Sequence, residues 1–211
     1  MLEYKTDQEE FWAGEFGNEY IKRNYDPQII AGNLNLFSKI FKDTIKVNSI
    51  LEFGANIGQN LIAIKQLLPE AQITAIEINK SACEFLKKNG WIEVINESIL
   101  NFEIKETFDF VFTKGVLIHV NPEELFAVYK KLYEATNKYI LVAEYYNPQP
   151  VEINYRGHSN KLFKRDFAGE LLSKYSDLKL LNYGFSYHLD NNFPQDDLNW
   201  FLLKKIGGIN K

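Results

Sequence analysis

The stretch Ser49-Ile50-Leu51-Glu52-Phe53-Gly54-Ala55-Asn56-Ile57-Gly58-Gln59-Asn60 decides the fold. It reads as a buried strand, a turn punctuated by two glycines, and the start of a helix. Glu52 sits two positions before the first glycine. A carboxylate at the end of a core strand is costly unless something partners it. Glycines at such a turn let a ligand approach the backbone, so a ligand is expected to supply that partner.

Outward from this stretch, strands and helices alternate at short spacing. Gly58–Leu68 reads as a helix stopped by Pro69, Ala71–Ile78 as a second strand ending near Glu77, and Lys80–Asn89 as a helix closed by Gly90. Ile92–Asn96 and Phe108–Lys114 read as the third and fourth strands. Pro122–Asn137 reads as a helix with proline in its first turn, and Lys138–Glu144 as the fifth strand. Strands alternating with helices indicate an α/β fold with a doubly wound parallel sheet. Upstream, residues 26–43 carry an amphipathic helical pattern, and residues 1–24 read as two short helical pieces broken near Gly14 and Gly17. Downstream, residues 145–160 read as a long functional loop and Phe163–Tyr175 as a helix. Leu178–His188 and Asn199–Lys205 read as a closing hairpin that adds an antiparallel strand to the sheet. One domain over 1–211 is expected: a helical cap over 1–45, a ligand-binding core over 49–144, and an acceptor loop, helix and hairpin over 145–211.

The bulk composition narrows the partners. With 24 basic and 28 acidic residues the net charge is −4, which argues against an extended nucleic-acid footprint. The one cysteine, Cys83, excludes an internal disulfide and fits a reducing cytoplasm. The start of the chain is acidic and polar, unlike a signal peptide, and no apolar run reaches the ~18 residues of a membrane span. One cysteine and three scattered histidines support no metal site.

In open α/β sheets, ligands bind beyond the carboxyl ends of the strands. Glu77, at the tip of the second strand, is placed to accept hydrogen bonds from a ribose diol. A nucleoside cofactor lying across the first two strands is therefore expected. Gly54 and Gly58 form G-x-x-x-G, which lacks the middle glycine that lets a dinucleotide pyrophosphate approach. Glu52 would repel a pyrophosphate but suits an ammonium group, directly or through water. No Walker lysine follows the turn.

Glu52-Phe53-Gly54-Ala55-Asn56-Ile57-Gly58, Glu77 and Phe108-Asp109-Phe110-Val111 together resemble class I S-adenosylmethionine-dependent methyltransferases. Three further segments look like the methylases associated with pseudaminic acid and surface-sugar biosynthesis. They are Phe11–Gly17 with Tyr20, Thr113–His119, and Tyr155–His158 followed by Phe163–Phe167. The resemblance implies a Rossmann-like seven-stranded sheet, six strands parallel and one antiparallel, with helices on both faces. It implies S-adenosylmethionine as cofactor and a small acceptor, sugar-like and acidic or nucleotide-linked. Gly54, Ala55, Asn56 and Gly58 would line the methionine part, and Glu52 would answer its amino group. Glu77 with Ile78 would hold the ribose, and Ser98 and Ile99 would flank the adenine. Thr113, Lys114 and Gly115 would border the sulfonium and the acceptor.

Methyl transfer to a hydroxyl needs a group that takes the proton. His158 and Glu144 are the candidates, and Arg156 is the candidate clamp for an acceptor carboxylate or phosphate. His119, inside the apolar run Val116–Val120, reads as a core residue rather than a catalytic one. Cys83, between Ala82 and Phe85, reads as core, and Trp91 and Trp200 read as packing residues. The N-terminal aromatic segment and the 145–160 loop are expected to close over the acceptor. The rival readings are a methyltransferase for a nonsugar metabolite, a noncatalytic cofactor-binding partner of glycan assembly, and a nicotinamide oxidoreductase.

Overall fold

The computed structural model describes residues 4–23 and 26–207, so the parts of the expected cap at 1–3 and 24–25 lie outside the described residues. The chain opens with α1 (Asp7–Ala13), α2 (Glu15–Arg23) and α3 (Pro27–Phe41). Thr6 and Glu9 form a reciprocal cap at the start of α1. The break between α1 and α2 falls at Gly14, whereas Gly17 lies inside α2. It packs so close to the Trp12 carbonyl that a Cβ there would stand 1.9 Å from that oxygen.

The sheet then builds as β1 (Ser49–Phe53), α4 (Gln59–Leu67), β2 (Gln72–Glu77), α5 (Lys80–Lys87), β3 (Ile92–Asn96) and β4 (Phe108–Lys114). A 3-10 turn at Leu117–His119 leads to α6 (Leu125–Ala135) and β5 (Thr136–Glu144). After these come β6 (Val151–Tyr155), β7 (His158–Lys164), α7 (Phe167–Lys174), β8 (Leu178–Ser186) and β9 (Leu198–Lys205). Seven strands form one sheet in the order β3-β2-β1-β4-β5-β9-β8. The strand β9 runs antiparallel to both its neighbours, β5 and β8, and the remaining pairs are parallel. Six strands therefore point one way and one the other, as expected.

Strand alternation sorts the core into two layers. Ile50, Phe110, Phe112 and Leu141 meet α3 and α4 through Phe37, Ile40, Leu61 and Ile64. Leu51, Val111, Ile140 and Val142 meet α6 and α7 through Val128, Tyr129, Leu132 and Leu171. Burial on both faces explains why these strands are almost wholly apolar. Asp109 is the polar residue near the start of β4. It accepts from the Asn48 N–H at 2.9 Å and pairs with Lys138 at 3.0 Å, tying the starts of β1, β4 and β5.

Three local expectations are corrected. Of the loop expected over 145–160, only 145–150 is irregular: from Val151 on, β6 and β7 pair as a separate two-stranded sheet. Its turn holds Arg156 at φ 50° and Gly157 at φ 87°, a left-handed pair that suits a tight hairpin. The helix expected over Phe163–Tyr175 begins only at Phe167, because Phe163 and Lys164 still pair with β6. The helix expected over Pro122–Asn137 begins at Leu125, because Asn121 Oδ1 accepts from the Glu123 N–H at 3.0 Å and holds a turn there. Among the described residues no helix is long and apolar enough to cross a membrane.

Phe37 is fully buried where α3 meets the sheet. Phe37→Ala is expected to lower the unfolding free energy by ~3–5 kcal/mol, as lost burial plus a cavity. Urea unfolding followed by circular dichroism measures this, and a loss of under about 1 kcal/mol would mean that α3 is not part of the cooperative core.

Candidate active site

The strand tips of β1, β2 and β4 open into a cavity of about 500 Å³, a size that suits a cofactor or drug-sized ligand. Gly54 and Gly58 take left-handed conformations, φ 74° and 82°. A Cβ would meet Val116 at 2.6 Å from Gly54, and Leu86 at 2.6 Å from Gly58. The backbone between them is fastened from β2: Glu77 Oε2 accepts from the Asn56 N–H at 2.7 Å. Glu77 Oε1 accepts from the Asn79 N–H at 2.7 Å. Burial pushes the Glu77 carboxyl upward from its ordinary value, and these backbone donors oppose the shift. Each oxygen keeps a lone pair for a ligand hydroxyl.

Asn79 extends the link to the cap. Its Oδ1 accepts from the Ala82 N–H and caps α5, while its Nδ2 donates to the Trp12 carbonyl and to Asn18 Oδ1. The cap is fastened a second time by the Ser98 hydroxyl, which donates to Glu9. As a result Gln8, Glu9, Trp12 and Tyr20 form one wall of the cavity. The opposite wall comes from α3 and the β8–β9 connection, where Gln195 Nε2 donates to Asn33 Oδ1 at 2.7 Å.

Of the residues expected at the cofactor, Gly54, Ala55, Asn56, Glu77, Ile78, Ser98, Ile99, Lys114 and Gly115 line this cavity. Glu52, Gly58 and Thr113 do not. Glu52 is fully buried below the glycine turn, where Oε1 accepts from Asn60 Nδ2 at 2.6 Å. Its Oε2 has no partner, and burial pushes the carboxyl up to about 8. Gly58 and Thr113 lie behind the wall, the first against Leu86.

None of the three expected catalytic residues lines the cavity. Glu144 turns under the 3-10 segment and accepts from the N–H groups of Val116 and Leu117, both at 3.1 Å. Burial raises its carboxyl to about 7 against those donors. Its carboxylate holds the backbone of the 3-10 segment. Arg156 is exposed at the hairpin turn, with its guanidinium over Tyr155. His158 is exposed and lies edge-on to Phe11. The hairpin braces α1 from behind, through Gln8 Nε2 to the Asn160 carbonyl and Lys161 Nζ to the Asp7 carbonyl.

His119, which reads from the sequence as core, lines the cavity instead. The 3-10 turn after β4 folds it back onto the cavity wall. Its Nδ1 lies 2.6 Å from the Lys161 carbonyl. A carbonyl only accepts, so Nδ1 carries the proton and Nε2 the lone pair. Nε2 has no hydrogen-bond partner among the described residues. The ring packs 4.6 Å from Trp12 and 4.9 Å from Tyr155, and burial lowers its pKa to about 4. Lys114, from the tip of β4, has its ammonium pushed downward by the same desolvation, with Asp196 and Glu52 opposing.

Residues 50–138 match a family model described as a methyltransferase domain. No curated protein sequence matches the chain. Among solved structures, the plantazolicin methyltransferase BpumL in complex with SAH is 18% identical, with a TM-score of 0.68 over 95% of this chain and 94% of that one. The magnesium protoporphyrin IX methyltransferase ChlM from Synechocystis PCC 6803, with bound SAH, is 11% identical, with a TM-score of 0.69 over 94% and 100%. The N-terminal domain of EvdMO1, in the presence of SAH and D-fucose, is 14% identical, with a TM-score of 0.61 over 83% of each chain. These likenesses establish the methyltransferase fold.

His119 makes a specific contribution to the pH dependence of stability. Its ordinary value is near 6.5 and its folded value about 4, so between these the unfolded chain binds the extra proton. Stability carried by the neutral, buried ring is complete above pH 6.5 and is lost as pH falls toward 4. At about 1.4 kcal/mol per pH unit this is on the order of 3 kcal/mol. Guanidinium titrations of wild type and His119→Asn between pH 7 and 4 are expected to converge by about that amount, and parallel curves would place the ring in water.

Proposed function

We propose that this methyltransferase uses S-adenosylmethionine to methylate a hydroxyl of a small polar acceptor, a sugar or nucleotide sugar of surface-glycan biosynthesis. The observation that carries the hydroxyl assignment is the neutral His119, with Nδ1–H held by a backbone carbonyl and Nε2 left open on the cavity wall. Gly54, Ala55 and Asn56 line the cavity, with Gly54 in a left-handed conformation where a Cβ would strike Val116, and this turn fits the cofactor's methionine part. Glu77 would accept from the ribose hydroxyls, and Ser98 and Ile99 would border the adenine.

Bound S-adenosylmethionine supplies an electrophilic methyl group on a good sulfonium leaving group. The protein's part is alignment, dryness and proton removal. An acceptor oxygen that takes a methyl group becomes strongly acidic, so even a base held near 4 can receive its proton. His119 Nε2 takes that proton, and the Lys161 carbonyl stabilises the imidazolium through Nδ1–H. Trp12 and Tyr20, with ring centres 5.2 Å apart, offer an apolar wall for the face of a sugar ring. The segments 11–17, 113–119 and 155–167, which resemble surface-sugar methylases, support that acceptor class. A structural neighbour studied with SAH and D-fucose supports it too.

Calorimetry with S-adenosylhomocysteine tests the cofactor, and transfer of labelled methyl groups to a panel of nucleotide sugars, free sugars and nonsugar acids tests the acceptor. Glu77→Ala is expected to weaken cofactor binding by about tenfold or more through the lost ribose contacts. His119→Gln is expected to lower kcat by about 100- to 10,000-fold while cofactor affinity stays near wild type. Tight NAD(H) binding with none for S-adenosylhomocysteine would overturn the cofactor. Transfer only to nonsugar acceptors would overturn the acceptor class.

A further inference from the structure

Helix α1 carries two polar atoms that have no hydrogen-bond partner among the described residues. Gln8 is only 2% exposed. Its Nε2 donates to the Asn160 carbonyl at 3.0 Å, which fixes the amide orientation, and its Oε1 is buried with no hydrogen bond. Trp12 lies one helical turn further on, on the same face, and its Nε1–H is also buried and unpaired. Both residues line the cavity, and the Trp12 ring packs against His119. Leaving a buried donor or acceptor unmade costs ~1–3 kcal/mol each, so two such atoms one helical turn apart on α1 mark a place where something else completes them.

The helix cannot turn away to release them. Its start is closed by Thr6 and Glu9, and Glu9 is held by Ser98. Near its other end, the Trp12 carbonyl is held by Asn79. Behind it, the Phe11 ring is stacked on Phe16 and meets His158. The pair is therefore presented in a set orientation beside the base.

From this we infer that Gln8 Oε1 and Trp12 Nε1 form an acceptor–donor pair that reads a hydroxyl of the methyl acceptor next to the one His119 deprotonates. A hydroxyl both donates and accepts, so it can satisfy either atom or both; a methylene satisfies neither. The methyl acceptor is thus a polyhydroxylated molecule, and α1 sets which hydroxyl reaches His119. This inference rests on the methyl-transfer reading above and adds the residues that choose the acceptor.

The test compares wild type with Gln8→Leu and Trp12→Phe on whichever panel member accepts a methyl group, together with its single-deoxy analogues. Each variant is expected to raise KM for the parent acceptor by about tenfold or more, with the dissociation constant for S-adenosylhomocysteine within about twofold of wild type. One deoxy analogue is expected to be poor for wild type yet no worse than the parent for Gln8→Leu. Unchanged KM in both variants would mean that water completes the two atoms, and it overturns the inference. An equal loss of S-adenosylhomocysteine binding overturns it as well, by making α1 a cofactor or packing element.

If S-adenosylhomocysteine binds but nothing on the panel is methylated, the methyl-transfer reading fails on its own. The pair is then judged by binding alone. The chain has three tryptophans, so Trp12→Phe identifies the Trp12 indole N–H in a nitrogen-15 spectrum. Its resonance is expected to move when D-fucose or another sugar of the panel is added to the S-adenosylhomocysteine complex. No movement with any of them overturns the inference.

Discussion

Two backbone N–H groups, from Asn56 and Asn79, converge on the single carboxylate of Glu77. That convergence holds the glycine turn after β1 to the turn that starts α5. Through Asn79 it also reaches Trp12 and Asn18, and so holds the N-terminal cap in place. A carboxylate is suited to this because it accepts at several positions at once and each charge-assisted bond is strong. One buried acid thus ties the glycine turn, the start of α5 and the N-terminal helices together. The donors around it oppose the cost of burying it, although burial still holds its carboxyl above the ordinary value.

The central strands were legible because they are buried on both faces and carry nearly continuous apolar runs. Asp109 and Glu77 stand out from such runs, and both prove to be hydrogen-bonded at strand ends. The hairpin of β6 and β7 was not legible for the opposite reason. Most of β6 and the first half of β7 are exposed, so no hydrophobic alternation announces them. Its turn uses Arg156-Gly157 where the strong hairpin signal would be Asn-Gly. The Asn154 side chain accepts from the Gly157 N–H at 3.0 Å and supports that turn from two residues back, a contact that sequence spacing alone does not single out.

The candidate site divides along the same line. Gly54, Asn56, Glu77 and Gly115 follow from the rule that ligands meet the strand tips, because the backbone itself carries them there. Glu144 also sits at a strand tip, yet its side chain turns beneath the 3-10 segment. A strand position names a neighbourhood, and the pleat and local donors decide the direction. His119 was hidden in an apolar run that reads as core, whereas in the fold it is half-buried and lines the cavity. What sets it apart is the Lys161 carbonyl, forty-two positions away on another element. Gln8 and Trp12 belong to an aromatic-rich segment that suggested a cover, but only the folded packing shows which of their atoms are left unmatched.

The contact that orients His119 is made by a main-chain oxygen of β7, not by a side chain. Substituting Lys161 changes the side chain and leaves that oxygen in place, so long as the hairpin keeps its register. The orientation of the ring is therefore inherited from the backbone register of the hairpin, and the exposed positions of β6 and β7 can vary in charge and size without removing that contact.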